Sequence, residues 1–336
     1  MKLIRTSILL FYSLSRDDFC RGRNPKPSPA PIPWFPPRCL RAVRRIVLRF
    51  PGQTWAAIYA PPPPPRKPGF RPVLNSSIFL PVRLGWFFDM TTPFTRLELL
   101  LGPDALPRLA RARVVVAGLG AVGAAAAESL ARSAVGHLVL VDFDEIRPSN
   151  LNRHPFAFHS TLRQSKVDTA ARFLRDVNPD AEIVPVSAFL DAETSPQLFA
   201  DHPCDVLIDA IDSLLPKTEL LLAARQAKVP FILTCLGAAR KLDPTRFVAA
   251  DLADSHTCPL ARLLRKRLAK RGGTAGIRAI FSTEPPADPL ESVEPAADFY
   301  VRGRLRPPMG SLHAVVAAAG LRAARETLRH LLEERE

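Results

Sequence analysis

Residues 114–131 read VVVAGLGAVGAAAAESLA and decide the class of fold. The apolar run at 114–117 is typical of a strand buried on both faces, and the alanine-rich segment at 124–131 is typical of a helix. Between them lie Gly118, Gly120 and Gly123. Glycines at this G-x-G-x-x-G spacing permit a tight turn and let the backbone approach a phosphate at the N-terminus of the following helix. The stretch therefore predicts a strand, a phosphate-binding turn and a helix.

Strands and helices alternate along the rest of the chain. Apolar runs and helical periods predict further strands at 137–141, 182–186, 206–208 and 231–233, and helices at 165–177 and 220–227. This alternation predicts an α/β fold with a Rossmann-like, doubly wound and mainly parallel sheet. The alanine-rich stretch at 312–332 predicts a C-terminal helical extension that packs on the core or on a second copy of the chain.

Composition separates the first 89 residues from the remainder. Residues 1–89 hold 15 Lys and Arg against three Asp, together with 16 of the 35 prolines of the chain. Because proline fixes φ and removes an amide donor, this segment is expected to be extended or disordered. We interpret it as a disordered or non-native extension of one globular domain at residues 90–336. A basic tail for nucleic acid, or a ligand for a proline-recognising domain, is the alternative.

Cysteine spacing and hydropathy bound the cellular setting. The five cysteines are widely separated and form no C-x-x-C pair, which argues against a zinc ribbon and against a disulfide framework. A reduced, cytoplasmic compartment is therefore expected. No apolar run approaches 18 residues, so the sequence predicts no transmembrane helix.

The residues after the second predicted strand distinguish between two kinds of nucleotide. Asp142 lies where a carboxylate can accept hydrogen bonds from ribose hydroxyls, and with the glycines alone it would suggest a nicotinamide-dependent dehydrogenase. Arg153 and Lys166 follow, however, and a nicotinamide pocket has no use for two cations. Fixed cations can neutralise the charge that develops as pyrophosphate leaves a triphosphate. We therefore interpret the site as one for ATP.

The predicted strand at 206–208 ends in two acids. Residues 208–213 read IDAIDS, and Asp212 at the carboxyl edge of the sheet could hold Mg²⁺. Each residue has a plainer alternative, since Arg153 and Lys166 could be solvated surface cations and Asp212 could be an N-cap of the next helix. Their order around one sheet edge favours the nucleotide interpretation.

This order of motifs resembles a known superfamily. The glycine turn, D-x-D at 142–144, S-N-x-x-R at 149–153, Lys166 and D-A-x-D-S at 209–213 are similar to those of the ubiquitin-activating-enzyme-like adenylyltransferases, which include the ThiF and molybdopterin-synthase adenylyltransferase enzymes. Four shorter segments resemble the tRNA threonylcarbamoyladenosine dehydratase branch, namely residues 242–245, 259–262, 281–286 and 310–312. The resemblance covers residues 94–333.

The resemblance implies a reaction and a set of roles. In that branch ATP activates the carboxylate of a threonylcarbamoyl group on a tRNA adenosine, and the acyl-adenylate cyclises with loss of AMP. The implied catalytic residues are Arg153, Lys166, Asp212 and Arg96, with Asp212 on Mg²⁺ and Arg96 reaching the ATP site of a partner subunit. The implied nucleotide-binding residues are Gly118, Gly120, Gly123, Asp142, Asp144, Asn150 and Asn152.

Three positions depart from the pattern of the superfamily. Ala121 replaces a glycine of the turn, His154 replaces a glutamine, and Arg163 replaces a glycine three residues before Lys166. None of these changes removes a charge that the chemistry needs. Cys235, after a predicted strand, could act as a nucleophile, but a small buried side chain is the simpler interpretation.

The expected partners follow from the same resemblance. A predicted amphipathic helix carries six cations that could contact tRNA phosphates or could form a solvated face: Arg262, Arg265, Lys266, Arg267, Lys270 and Arg271. We expect a homodimer and consider a cysteine-desulfurase system as a further partner. The alternatives for function are an activator of a ubiquitin-like sulfur-carrier protein, which usually has paired C-x-x-C zinc ligands, and a non-catalytic nucleotide-binding relative.

Overall fold

The computed structural model describes residues 92–288 and 309–333, together with the backbone of two short strands nearer the N-terminus. The chain divides into two compact units, Met1–Arg83 and Leu84–Glu336.

The described residues of the first unit form an antiparallel pair of strands. β1 (Arg45–Leu48) pairs with β2 (Ala56–Tyr59) along their whole length. The sequence did not predict these strands, because four residues are too few for a strand period to register. The rest of the expected extension lies outside the described residues, and its disorder stays a prediction.

The second unit is built on a sheet of seven strands. They are β3 (Arg113–Ala117), β4 (His137–Val141), β5 (Glu182–Val186), β6 (Val206–Asp209), β7 (Phe231–Cys235), β8 (Phe247–Asp251) and β9 (Ile277–Ser282). Their order in the sheet is β5-β4-β3-β6-β7-β9-β8, and every pairing is parallel except that of β8 with β9. The predicted Rossmann-like, mainly parallel sheet is confirmed.

In the part of this unit that the structure describes, eight α-helices accompany the sheet. They are α1 (Thr95–Leu101), α2 (Ala105–Arg111), α3 (Ala121–Arg132), α4 (Lys166–Val177), α5 (Thr194–Asp201), α6 (Leu214–Gln226), α7 (Pro259–Ala269) and α8 (His313–Leu332). Apolar residues of α3, α4 and α8 form one core with the sheet. Apolar residues of α5, α6 and α7 form a second core with it. Two cores around one sheet are the layered arrangement expected of a doubly wound fold.

The centre of the sheet fixes where a ligand can bind. β3 lies between β4 and β6, so the chain runs outward on one side through β4 and β5 and then crosses to β6 and β7 on the other. In open α/β sheets, ligands bind at the carboxyl ends of the strands where the order reverses. Residues 114–117 and all of β6 are buried, which makes this junction a rigid base for a site.

The predicted C-terminal helical extension is α8. Its residues Val315, Val316, Ala319 and Ala323 are buried, and the helix packs mainly on α3. Across the described ranges 92–288 and 309–333, no helix combines the length and the apolar character needed to cross a membrane.

Candidate functional site

The glycine turn between β3 and α3 is closely packed on one side and open on the other. Gly118 has φ +89°, and a Cβ there would lie 2.9 Å from backbone atoms of both Ala210 and Ile211. A Cβ at Gly123 would lie 1.9 Å from the carbonyl oxygen of Gly118. Gly120, the N-cap of α3, faces open space instead. The first amides of α3 thus meet an open cradle that fits a phosphate.

Asp142 fixes the same turn from the end of β4. Its Oδ2 accepts a 2.7 Å hydrogen bond from the Leu119 amide, and its Oδ1 accepts a 2.8 Å bond from the Asp144 amide. Each carboxylate oxygen has a second lone pair, so the predicted ribose contact remains available. Burial raises the pKa of Asp142, and the nearby Lys166 ammonium opposes that rise.

Lys166 lies at the start of α4 and faces the two aspartates. Its Nζ is 2.9 Å from Asp144 Oδ2 and 3.7 Å from Asp142 Oδ1. Ser165 caps the helix by accepting a hydrogen bond from the Asp168 amide. The structure therefore brings Lys166 to two acids that were expected to bind the nucleotide, while its predicted contact with phosphates stays a prediction.

The S-N-x-x-R segment is organised by its own polar side chains. Asn150 Oδ1 accepts a 3.0 Å hydrogen bond from the Arg147 amide, which closes the 3₁₀ turn Pro148–Asn150. The Arg153 guanidinium donates to the Ser149 carbonyl and, at 3.0 Å, to Asn152 Oδ1. Asn152 Nδ2 in turn donates to the carbonyl of Ser311, 3.2 Å away. The segment is thereby tied to the approach to α8.

Arg153 and Asp212 are close enough to interact electrostatically. Burial lowers the pKa of Arg153, and the Asp212 carboxylate opposes the fall. Asp212 is exposed between β6 and α6, whose N-cap is Ser213. The alternative that Asp212 caps this helix is therefore wrong. A cation and an exposed carboxylate at the switch point match what a metal-bound triphosphate requires.

The donor set limits how a magnesium ion could be held. Among the described residues, no group of three or more His, Cys, Asp or Glu side chains could hold a metal. Mg²⁺ commonly binds through one or two carboxylates together with phosphate oxygens and water. Asp212 alone fits that mode, with the remaining ligands supplied by the nucleotide.

The sequence did not predict a buried ion pair that lies close to Asp212 in the chain. Lys217 Nζ lies 2.6 Å from Asp209 Oδ2, and both side chains are fully buried. The Thr234 hydroxyl donates to the same carboxylate oxygen at 2.7 Å. The sequence predicted that this helix starts at residue 220, but α6 begins at Leu214 and includes Lys217. Had the helix been predicted from residue 214, Lys217 would have fallen on its apolar face, and a lysine in that position is the signal that could have identified the ion pair.

His154, one of the departures from the superfamily pattern, supports the glycine turn. Its Nδ1 accepts a 3.1 Å hydrogen bond from the Phe156 amide, so the proton is assigned to Nε2, which donates to the Leu119 carbonyl at 2.9 Å. Burial lowers the pKa of His154 to about 4. The ring is therefore neutral near pH 7 and holds the peptide between the first two glycines.

The other departures have plain structural consequences. Arg163 has φ +65°, a left-handed conformation that glycine adopts without strain. Ala121 is the first residue of α3. Cys235 is buried, and burial raises the pKa of its thiol to about 12, which favours the interpretation as a packed side chain over that as a nucleophile.

The predicted RNA-contacting cations do not share one environment. Arg265 donates to the Ser255 carbonyl, and Arg271 pairs with Glu219. The other four are exposed along and just after α7: Arg262, Lys266, Arg267 and Lys270. Arg96 is exposed on α1.

Comparison with known proteins agrees with this geometry. The ThiF family model matches residues 94–336. The chain is 38% identical over 249 residues to the tRNA threonylcarbamoyladenosine dehydratase of Bacillus subtilis, which covers 74% of this chain and 97% of that protein. It is 36% identical over 162 residues to the molybdopterin-synthase adenylyltransferase of Escherichia coli, or 48% of this chain and 63% of that one.

A solved structure shares the architecture as well as the sequence. The crystal structure of E. coli tRNA N6-threonylcarbamoyladenosine dehydratase in complex with ATP superposes with a TM-score of 0.63 at 31% identity, covering 71% of this chain and 93% of that one. Family model, sequence and fold thus agree over the same part of the molecule, and the chain belongs to the ThiF family, in the branch of the tRNA threonylcarbamoyladenosine dehydratases.

Proposed function

We propose that this chain is an ATP-dependent tRNA threonylcarbamoyladenosine dehydratase. The observation that supports it most is the meeting of the glycine turn, Asp142, Arg153 and Asp212 at one sheet edge. The similarity to the B. subtilis enzyme, which extends over almost all of that relative, agrees with it. The reaction activates a carboxylate and closes a ring, so it needs phosphate binding and charge neutralisation more than a protein nucleophile.

Each residue of the site has a role in this proposal. ATP, when bound, supplies the adenylyl group and the pyrophosphate that leaves, and Mg²⁺ would neutralise part of the charge of that pyrophosphate. The amides at the start of α3 hold a phosphate, and Asp142 accepts a ribose hydroxyl. Lys166 pairs with the carboxylates of Asp142 and Asp144 and opposes the rise that burial causes in the pKa of Asp142. Arg153 neutralises developing charge, and Asp212 would contribute a carboxylate ligand to a bound Mg²⁺.

The proposed chemistry balances over two steps. A carboxylate oxygen of the threonylcarbamoyl group bonds to the α-phosphorus of ATP, and pyrophosphate leaves with the electrons of the broken bond. A nitrogen of the same substrate then bonds to the activated carbonyl carbon and loses its proton while AMP leaves. In total the substrate has lost one water. No residue of the chain has to form a covalent bond in either step.

The partners are part of the same proposal. The exposed cations Lys266, Arg267 and Lys270 contact tRNA phosphates, and Arg262 lies on the same helix. Two copies form a homodimer in which Arg96 of one subunit reaches the nucleotide of the other. A cysteine-desulfurase system is a further partner, and the enzyme works in the cytoplasm.

Mass spectrometry of tRNA tests the proposed function. The purified full chain with Mg-ATP and tRNA that carries threonylcarbamoyladenosine should remove one water from that nucleoside and release AMP in equal amount. The same reaction without ATP is the control. If the mass of the nucleoside stays unchanged and no AMP is released, the proposal is refuted.

Activation of a sulfur-carrier protein is the second candidate, favoured by the similarity to a molybdopterin-synthase adenylyltransferase. The sequence has no C-x-x-C pair for the zinc site usual in that class. Release of pyrophosphate on addition of a small protein that ends in Gly-Gly, with no change in tRNA, would favour this candidate instead.

A further inference from the structure

A buried cluster of charge lies directly under the turn that leads to Asp212. Lys217 Nζ donates to Asp209 Oδ2 at 2.6 Å, to Thr234 Oγ1 at 3.0 Å and to the Cys235 carbonyl at 3.0 Å. The three donor positions of an ammonium group are thus all used, and none faces solvent. The cluster connects the carboxyl ends of β6 and β7 to the first turn of α6.

The same cluster determines the path of the backbone after β6. Asp209 Oδ1 accepts a 3.1 Å hydrogen bond from the Ile211 amide, two residues along. The Ala210 amide donates to the Ala117 carbonyl at 2.8 Å, at the end of β3. Both ends of the turn are therefore anchored, one by the sheet and the other by a carboxylate that Lys217 holds in place.

The glycine turn rests on this anchored backbone. A Cβ at Gly118 would lie 2.9 Å from the carbonyl carbon of Ala210 and from the amide nitrogen of Ile211, so the two turns are in contact. A shift of the Ala210–Ile211 peptide would consequently move the start of the phosphate cradle on one side and Asp212 on the other.

We propose that Lys217 is a positioning residue that, through the Asp209 carboxylate, fixes both the Asp212 side chain and the glycine turn in the arrangement required for Mg-ATP. This inference rests on the proposed function and deepens it. Lys217 is fully buried, so we assign it no direct contact with nucleotide or RNA. Its removal leaves the Asp209 carboxylate buried without its cation, an arrangement that proteins avoid by opening the site to water or by protonating the acid.

Four variants separate positioning from stability. Lys217→Met removes the cation with little change in volume, and Lys217→Arg keeps it. Asp209→Asn combined with Lys217→Met removes both charges, so no buried charge is left unpaired. Leu174→Ala is the matched control, because Leu174 is fully buried in α4 and a cavity there lowers stability without touching the turn.

Calorimetric titration of each variant with ATP, with and without Mg²⁺, is the primary measurement, and tRNA turnover is the second. For Lys217→Met we expect the gain in ATP affinity from Mg²⁺ to disappear and kcat to fall about 100-fold, the loss typical of a misplacement of about 1 Å. The KM for tRNA should stay unchanged. Lys217→Arg should restore most of both readouts. The double variant should recover thermal stability while remaining impaired in both.

The outcomes distinguish this inference from the function on which it rests. Equal Mg²⁺ dependence in Lys217→Met, Leu174→Ala and the wild type would overturn it, as would full activity in the double variant. Should Lys217→Met not fold, Thr234→Val, which removes one donor to Asp209 at constant shape, gives the same comparison with a smaller expected loss. A wild type that binds Mg-ATP but leaves tRNA unchanged would refute the function, whereas the binding measurements would still decide the role of Lys217.

Discussion

At the scale of single residues, Arg153 and Asp212 are the pair on which the chemistry depends. Arg153→Ala or Asp212→Asn should lower the rate of adenylation by orders of magnitude, because each removes about 3–4 kcal/mol of stabilisation from the charge that develops on the leaving phosphates. Asp212 is exposed and Arg153 is half-buried at the sheet edge, so thermal melts should stay close to that of the wild type. Pyrophosphate release is the measurement, with Arg172→Ala on α4 as the exposed-arginine control. A variant that keeps wild-type turnover would remove its residue from the mechanism.

His154 should make the stability of the protein depend on pH. Burial lowers the pKa of His154 from 6.5 to about 4, so between these pH values the unfolded chain binds a proton that the folded chain does not. The contribution is fully present above pH 6.5 and is lost as the pH falls toward 4, and it amounts to about 3 kcal/mol.

His154→Gln provides the comparison, since an amide can still donate to the Leu119 carbonyl but does not titrate. Denaturant unfolding at several values between pH 4.5 and 7.5 should show a steeper loss of unfolding free energy on acidification in the wild type than in the variant. Parallel curves would mean that other groups account for the whole pH dependence.

At the scale of elements, regular periodicity determined what the sequence could reveal. The strands at 137–141 and 182–186 were predicted with their observed bounds because they are short apolar runs between helices. β8 and β9 were not predicted. β8 is an edge strand with mostly half-buried residues, and it pairs antiparallel with β9, from which α7 separates it in the chain. Propensity does not register such tertiary placement.

The site was predicted in part for the same reason. Motifs identified the residues that face the crevice, but the contacts that hold them join distant parts of the chain. His154 meets the Leu119 carbonyl across 35 residues, and Lys217 was excluded because the helix was predicted to start three residues after it. Ser213 and Pro216 lie at the true start of α6 and weaken its helical pattern in the sequence.

The environment of α7 sharpens the prediction about RNA. Reversing Lys266, Arg267 and Lys270 to glutamate should raise the KM for tRNA while leaving ATP binding unchanged, because exposed cations contribute affinity through phosphate contacts. Arg265 is left intact, since its bonds to Ser255 hold the segment before the helix. The control is Arg172→Glu, a reversal on α4.

Salt provides a second measurement on the same variants. If the α7 cations contact phosphates, the logarithm of tRNA affinity should fall less steeply with salt in the triple variant than in the wild type. Identical slopes and an unchanged KM would assign these cations to a solvated helix face.

At the scale of the whole molecule, charge and fold separate along the chain. The segment that holds 15 of the 46 Lys and Arg precedes the part matched by the family model, which begins at residue 94. The site residues and both cores all come from the second compact unit, Leu84–Glu336. The activity should therefore belong to that unit.

A chain that starts at Met90 tests this separation. It should melt at the same temperature as the full chain and turn over ATP at the same rate, because the site residues and both cores come from the second compact unit. At low salt the full chain should bind tRNA more tightly, since residues 1–89 add a net positive charge that attracts any polyanion. That difference should vanish at high salt, as a sequence-independent attraction does. Aggregation of the shorter chain, or a lower melting temperature, would show instead that the N-terminal segment contributes to folding.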